Sequence, residues 1–139
     1  MAESLRQLLC AIGIVSAPEY VERRAGSRSS WVGFPNVCTS GCAFTVRYVV
    51  RSGHAPPLVM QRIDREQSAH GDLVPIEEIA WNETRLRGPV LSVAAWYAYA
   101  VRTFPQSTYI SKMDDDAYLY TPVLESLLRR VQQVAPNPE

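Results

Sequence analysis

Residues 8 to 15 read Leu-Leu-Cys-Ala-Ile-Gly-Ile-Val, an apolar run with no charged side chain. The run is far shorter than the roughly 20 residues that cross a bilayer as a helix, and it matches the length of a strand. A strand without a polar face must be covered on both sides, as in a parallel sheet with helices packed on each face.

The rest of the chain alternates accordingly. The run stops at Ser16-Ala17-Pro18, and the charged stretch Glu19 to Trp31 predicts a helix weakened by Gly26. Gly33 to Gly41 reads as a loop, and Ala43 to Val50 as a second strand rich in β-branched and aromatic residues. Leu58 to Ala69 reads as a helix with one apolar edge, and Leu73 to Ile76 as a short strand. After Pro89, the residues Val90, Val93, Tyr97, Val101 and Phe104 recur at helical spacing while Leu91, Trp96 and several alanines fill the other sides. This helix is expected to be largely buried. Thr108 to Met113 reads as a strand, Tyr118 to Tyr120 as another, and a last helix is expected with Thr121 as its cap and Pro122 at its first position. Strand and helix alternate often enough to predict an α/β fold, mainly parallel, with helices on both faces of the sheet. At 139 residues and 47% hydrophobic content the chain supports one core and not two, taken here as residues 1–134, with a disordered tail at 135–139.

Lys plus Arg and Asp plus Glu number 14 each, so no overall field draws in nucleic acid or an anionic membrane. Function must therefore rest on local clusters. Cys10, Cys38 and Cys42 are too few for a disulfide scaffold, and Cys38 with Cys42 lacks two further soft ligands for zinc. Buried or loop thiols are expected, the alternative being a Cys38–Cys42 disulfide in an oxidising compartment. Asn82-Glu83-Thr84 is a glycosylation sequon, relevant only along the secretory route. His54 and His70 sit beside turn residues and are expected at the surface.

The triplet Asp114-Asp115-Asp116 follows an apolar strand directly. Two unit charges ~6 Å apart repel by roughly 3 kcal/mol at an effective dielectric of about 20, so a cation is expected nearby. Residues two apart in an extended chain share a side, which points Asp114 and Asp116 to one place and turns Asp115 away. Their hard oxygens suit Mn²⁺ or Mg²⁺, which could bridge to the phosphates of a nucleotide. A solvated acidic turn is the plain alternative. Arg23, Arg24 and Arg28 supply opposite charge, and Arg24 and Arg28, four apart on a helix, repel unless an anion lies between them. Lys112 either holds a phosphate or neutralises the triplet.

Together these segments resemble a known family. Glu22-Arg23-Arg24-Ala25-Gly26-Ser27-Arg28-Ser29-Ser30-Trp31 is similar to the ERRxAxRxTW segment of β-1,3-galactosyltransferases, β-1,3-N-acetylglucosaminyltransferases and, more distantly, Fringe. Glu66 with Gly71-Asp72-Leu73 resembles the family's E…GDI stretch, and Lys112-Met113-Asp114-Asp115-Asp116-Ala117-Tyr118-Leu119 its KxDDDxFV motif. The order of the three holds from about Leu8 to Leu128, and the GFPNV loop and FTVRYVV strand look most like kinetoplastid members. The resemblance implies a GT-A fold, Rossmann-like and incomplete at its carboxyl end. It also implies inverting transfer of galactose or N-acetylglucosamine from a UDP-sugar to a glycan acceptor in β-1,3 linkage, on the lumenal side of a Golgi membrane. Asp116 and Asp114 would hold the metal, and Arg24, Arg28, Lys112, Asp114 and Asp115 the donor. The family's DSYxNLTxK stretch is replaced by Ile79 to Arg87. No counterpart of the acceptor half, the catalytic base or the amino-terminal anchor is found, so the chain is expected to be the donor-binding half of such an enzyme. A non-catalytic nucleotide or metal-binding module is the alternative.

Overall fold

In the computed structural model, which describes residues 7–135, the apolar run forms β1 (Cys10–Ser16), buried along its whole length. There follow α1 (Val21–Arg28), β2 (Phe44–Gly53), α2 (Pro57–His70), β3 (Leu73–Ala80), α3 (Arg87–Thr103), β4 (Tyr109–Asp114) and α4 (Thr121–Val134). All pairings are parallel and the sheet order is β3-β2-β1-β4. The chain steps outward from β1 to β3 and then returns to pair β4 on the other side of β1. At such a reversal of strand order, α/β sheets commonly bind ligands in a crevice outside the strands' carboxyl ends.

Alternation along the strands divides the core in two. Ile12, Ile14, Val46, Tyr48 and Val50 share one face with Trp31 and Ile63, joined by Leu124 and Leu128 of α4. Ala11, Val49, Val74 and Ile76 meet Trp96 and Ala100 of α3 on the other. The α/β class with helices on both faces is thus as expected.

Several local expectations are corrected. The buried residues of α3 are Gly88, Ser92, Trp96 and Ala100, a stripe at four-residue spacing, while Val90 and Val101 are 69% and 60% exposed. Among the described residues no other helix joins α3 on its face of the sheet, so its second apolar stripe meets solvent. Helix α1 stops at Arg28, before a 3-10 turn at Trp31–Gly33. Tyr118 to Tyr120 is irregular and not a strand, because Tyr118 and Tyr120 turn edge-on against Phe34 of the GFPNV loop. Thr121 is the first residue of α4 and not its cap, and its hydroxyl donates to Asn36 Oδ1 at 2.7 Å. Of the tail expected to be disordered, residues 136–139 lie outside the described residues.

The cysteines depart from the first expectation as well. Cys38 and Cys42 form a disulfide with Cα atoms 5.5 Å apart, closing the loop whose Val37 bridges to Phe44 at the start of β2. Cys10 remains a buried thiol whose pKa burial pushes up, partly offset by its contact with Ser111. So short a closed loop removes modest chain entropy, and Cys38→Ser with Cys42→Ser is expected to cost about 2 kcal/mol. Urea unfolding of the oxidised protein and the double variant checks this. The difference should vanish when both are measured in reductant.

Candidate functional site

The cleft at the sheet's carboxyl edge, about 370 Å³, is lined by Val15, Ser16 and Ala17 from the end of β1 and by Asp114, Asp115 and Asp116 from the end of β4. Glu19, Tyr20 and Arg23, Arg51 of β2, Glu83 and Arg85 at the approach to α3, and Pro89 in its first turn complete its walls. It therefore occupies the reversal point between β1 and β4.

β4 ends at Asp114, and Asp115 and Asp116 form a turn in which the Ala117 N–H donates to the Asp114 carbonyl at 3.3 Å, so the extended-chain alternation expected for the triplet stops at its first residue. Asp114 and Asp116 are exposed, whereas the Asp115 side chain is only 8% exposed and folds against β1. Ser16 Oγ donates to Asp115 Oδ2 at 2.8 Å, and Arg23 Nη1 to Oδ1 at 3.1 Å. The bond to Asp115 raises the Arg23 pKa above its already high value, and the guanidinium stacks 4.0 Å from the centre of the Tyr20 ring. Lys112 Nζ lies 3.4 Å from Asp114 Oδ1, with both side chains well exposed. Asp116 has no hydrogen-bond or ion-pair partner among the described residues.

Arg24 and Arg28 are placed elsewhere. Arg24 is 1% exposed, and its guanidinium donates to Glu66, Ser16 Oγ and the carbonyls of Ala17 and Pro18. Arg28 donates to both oxygens of Asp72 and to Glu66 Oε2, and rests 4.6 Å from the centre of the Tyr48 ring. The anion expected between these arginines is the protein's own Glu66. Burial by itself would raise the Glu66 pKa, but the bonds from Arg24 and Arg28 outweigh it and hold the carboxylate below its usual range. Gly71 ends α2 in the left-handed conformation, and its neighbour Asp72 accepts from Arg28. The ERR segment and the E…GDL stretch, far apart in sequence, thus meet in one buried ion network. It anchors α1 and α2 to the end of β1, directly behind the cleft.

The donor set decides what kind of metal the site suits. Among the described residues no three side chains of His, Cys, Asp and Glu gather closely enough to cage an ion. Mn²⁺ or Mg²⁺ shared with a phosphate needs only one or two protein carboxylates, since waters and phosphate oxygens complete its shell. Asp114 and Asp116 fit that second arrangement.

No protein-family model matches the chain. Among curated proteins it is similar to mouse Beta-1,3-galactosyltransferase 6. The two are 28% identical over 108 residues, covering 78% of this chain and 32% of the galactosyltransferase. The matched part therefore spans about a third of that protein's length. This similarity supports a glycosyltransferase-like function, and the parallel α/β sheet is consistent with part of a GT-A fold. No helix among the described residues is long and apolar enough to cross a membrane.

Of the residues singled out from the sequence, Asp114, Asp115, Asp116 and Arg23 line the cleft, Lys112 reaches it only through Asp114, and Arg24 and Arg28 stand behind it. Tyr20, Arg51, Glu83 and Arg85 were not singled out. Arg51 had a readable signal, a charge after Tyr-Val-Val inside a buried strand.

Proposed function

We propose that this chain is the donor-binding part of an inverting β-1,3-hexosyltransferase that uses a UDP-sugar and Mn²⁺. The observation that carries the reading is the acidic triplet at the carboxyl end of β4, lining a cleft at the reversal of the sheet order. Asp114 and Asp116 hold the metal, which when bound stabilises the negative charge of the departing diphosphate. Asp115 is fixed by Ser16 and Arg23 and sets the position of its two neighbours. Lys112 limits the repulsion within the triplet by pairing with Asp114. Arg24 and Arg28 serve the donor indirectly, by fixing the end of β1 through Glu66 and Asp72. Galactose or N-acetylglucosamine is the sugar, a glycan the acceptor, and the Golgi lumen the compartment. The Cys38–Cys42 disulfide favours such an oxidising compartment, because cytosolic reductants keep thiols reduced.

Calorimetric titration of UDP with and without Mn²⁺ tests the proposal. UDP is expected to bind tighter with Mn²⁺, and Asp116→Ala to lose roughly tenfold or more of the metal-dependent affinity, as charge-assisted contacts of this kind are worth. Equal affinity with and without metal in the wild-type protein rejects the metal bridge. The alternative, a nucleotide-binding module without turnover, predicts the same titration, and this chain by itself is expected to transfer no radiolabelled sugar from UDP-galactose or UDP-N-acetylglucosamine under either reading. Transfer once an acceptor-binding part with its base is joined to it separates the two.

A further inference from the structure

Arg51 is a buried cation without a counterion. It is 6% exposed, its Nε has no hydrogen-bond partner, and its guanidinium forms no ion pair among the described residues. A buried charge left unpaired is costly, and the resident partner is missing although Glu83 and the aspartates share the same cleft. Its surroundings make the cost larger. The guanidinium packs on Gly88 in the first turn of α3, so closely that a methyl at Gly88 would collide with Nη1 and Cζ. A helix's first turn carries partial positive charge, which is the wrong end for a cation and the right one for an anion. Arg85, at the approach to the same helix, adds a second positive side chain to this wall.

Strand alternation puts Arg51 and Asp114 on the same side of the sheet, the side covered by α3. Their strands are separated by β1, and by register Asp114 lies level with Val49, two residues short of Arg51, so the two backbone positions are about 12 Å apart.

We propose that Arg51, with the positive end of α3, forms an oxyanion subsite distinct from the aspartate triplet, and that it takes the carboxylate or phosphate group of a saccharide. The planar guanidinium matches either group through paired donors, and the ligand's charge supplies what the fold withholds. The saccharide part of the assignment rests on the transferase reading above, whereas the subsite itself does not.

The test is a thermal melt of the 139-residue chain in EDTA, which keeps the triplet free of metal, with inorganic phosphate, glucuronate or galactose as probes. Phosphate or glucuronate should raise the wild-type Tm and neutral galactose should not, and which of the two anions acts identifies the group. Arg51→Met should melt roughly 3–5 °C above wild type without any probe, because an unpaired buried charge has been removed, and should no longer respond to the anions. Gly88→Ala, which displaces the guanidinium while favouring the helix, should weaken the anion response at least roughly tenfold without unfolding the protein. The proposal is overturned if neither anion raises the wild-type Tm, if Arg51→Met responds as wild type does, or if Arg51→Met melts lower. Loss of Mn²⁺-dependent UDP binding in the wild type would reject the transferase reading and leave these outcomes intact.

Discussion

Glu66→Ala is expected to destabilise the protein by about 3–5 kcal/mol, the cost of removing one member of a buried ion network. Arg24 would remain 1% exposed with its charge facing only Ser16 Oγ and two carbonyls, and Arg28 would keep Asp72 alone. Typical domains have only about 5–15 kcal/mol of stability in total, so the variant should be partly unfolded at ordinary temperatures. Glu66→Gln keeps the shape and loses the charge, and should fall between the two. Acid should reproduce the effect. The Glu66 pKa is depressed in the folded state, so its contribution is fully present above its unfolded value of roughly 4.3 and is lost as pH falls through the lower folded value. Urea midpoints of the wild type should therefore decline below about pH 4 more steeply than those of Glu66→Gln. Parallel pH profiles would show that the network contributes little to stability.

The same network shows how far the sequence could be read. The α/β class followed from Leu8 to Val15 and from the β-branched run before Arg51, because a strand with two apolar faces has few other places to lie. The triplet was legible as a local acidic cluster, but the extended backbone assumed for it ends at Asp114, and Asp115 is set apart by its bonds to Ser16 and Arg23 from a turn. Arg24 and Arg28 were legible as a pair in need of an anion. That the anion is Glu66, about forty residues onward, depends on how α1 and α2 pack beside β1, and no local pattern encodes that. The apolar periodicity of α3 misled for a related reason. Its face toward the sheet is set by small residues, Gly88, Ser92 and Ala100 around Trp96, so the larger Val90 and Val101 mark the outer side.

Gly13→Val should cost about 3 kcal/mol, at the upper end of what overpacking a core commonly does. Gly13 lies in the middle of β1 on the face toward α3, and a Cβ there would coincide with the Cγ, Cδ2 and Cε2 region of the Trp96 indole. The ring cannot simply tilt away, because its Nε1 donates to the Ser111 carbonyl at 2.8 Å and its faces meet Tyr99 and Phe104. Valine favours strand conformation, but that preference is worth at most about 1 kcal/mol and does not offset the clash. Trp96→Leu makes room while leaving a cavity, so it destabilises by itself. If contact between the two side chains is the cause, the double variant should be more stable than the sum of the single effects predicts, by roughly 1 kcal/mol or more. Strict additivity in urea unfolding would reject that cause. The displacement also reaches the cleft, since α3 carries Trp96 in its middle and Gly88 against Arg51 at its start. Gly13→Val should therefore weaken the anion response of Arg51 as well as lower stability, and Trp96→Leu in the double variant should restore part of both.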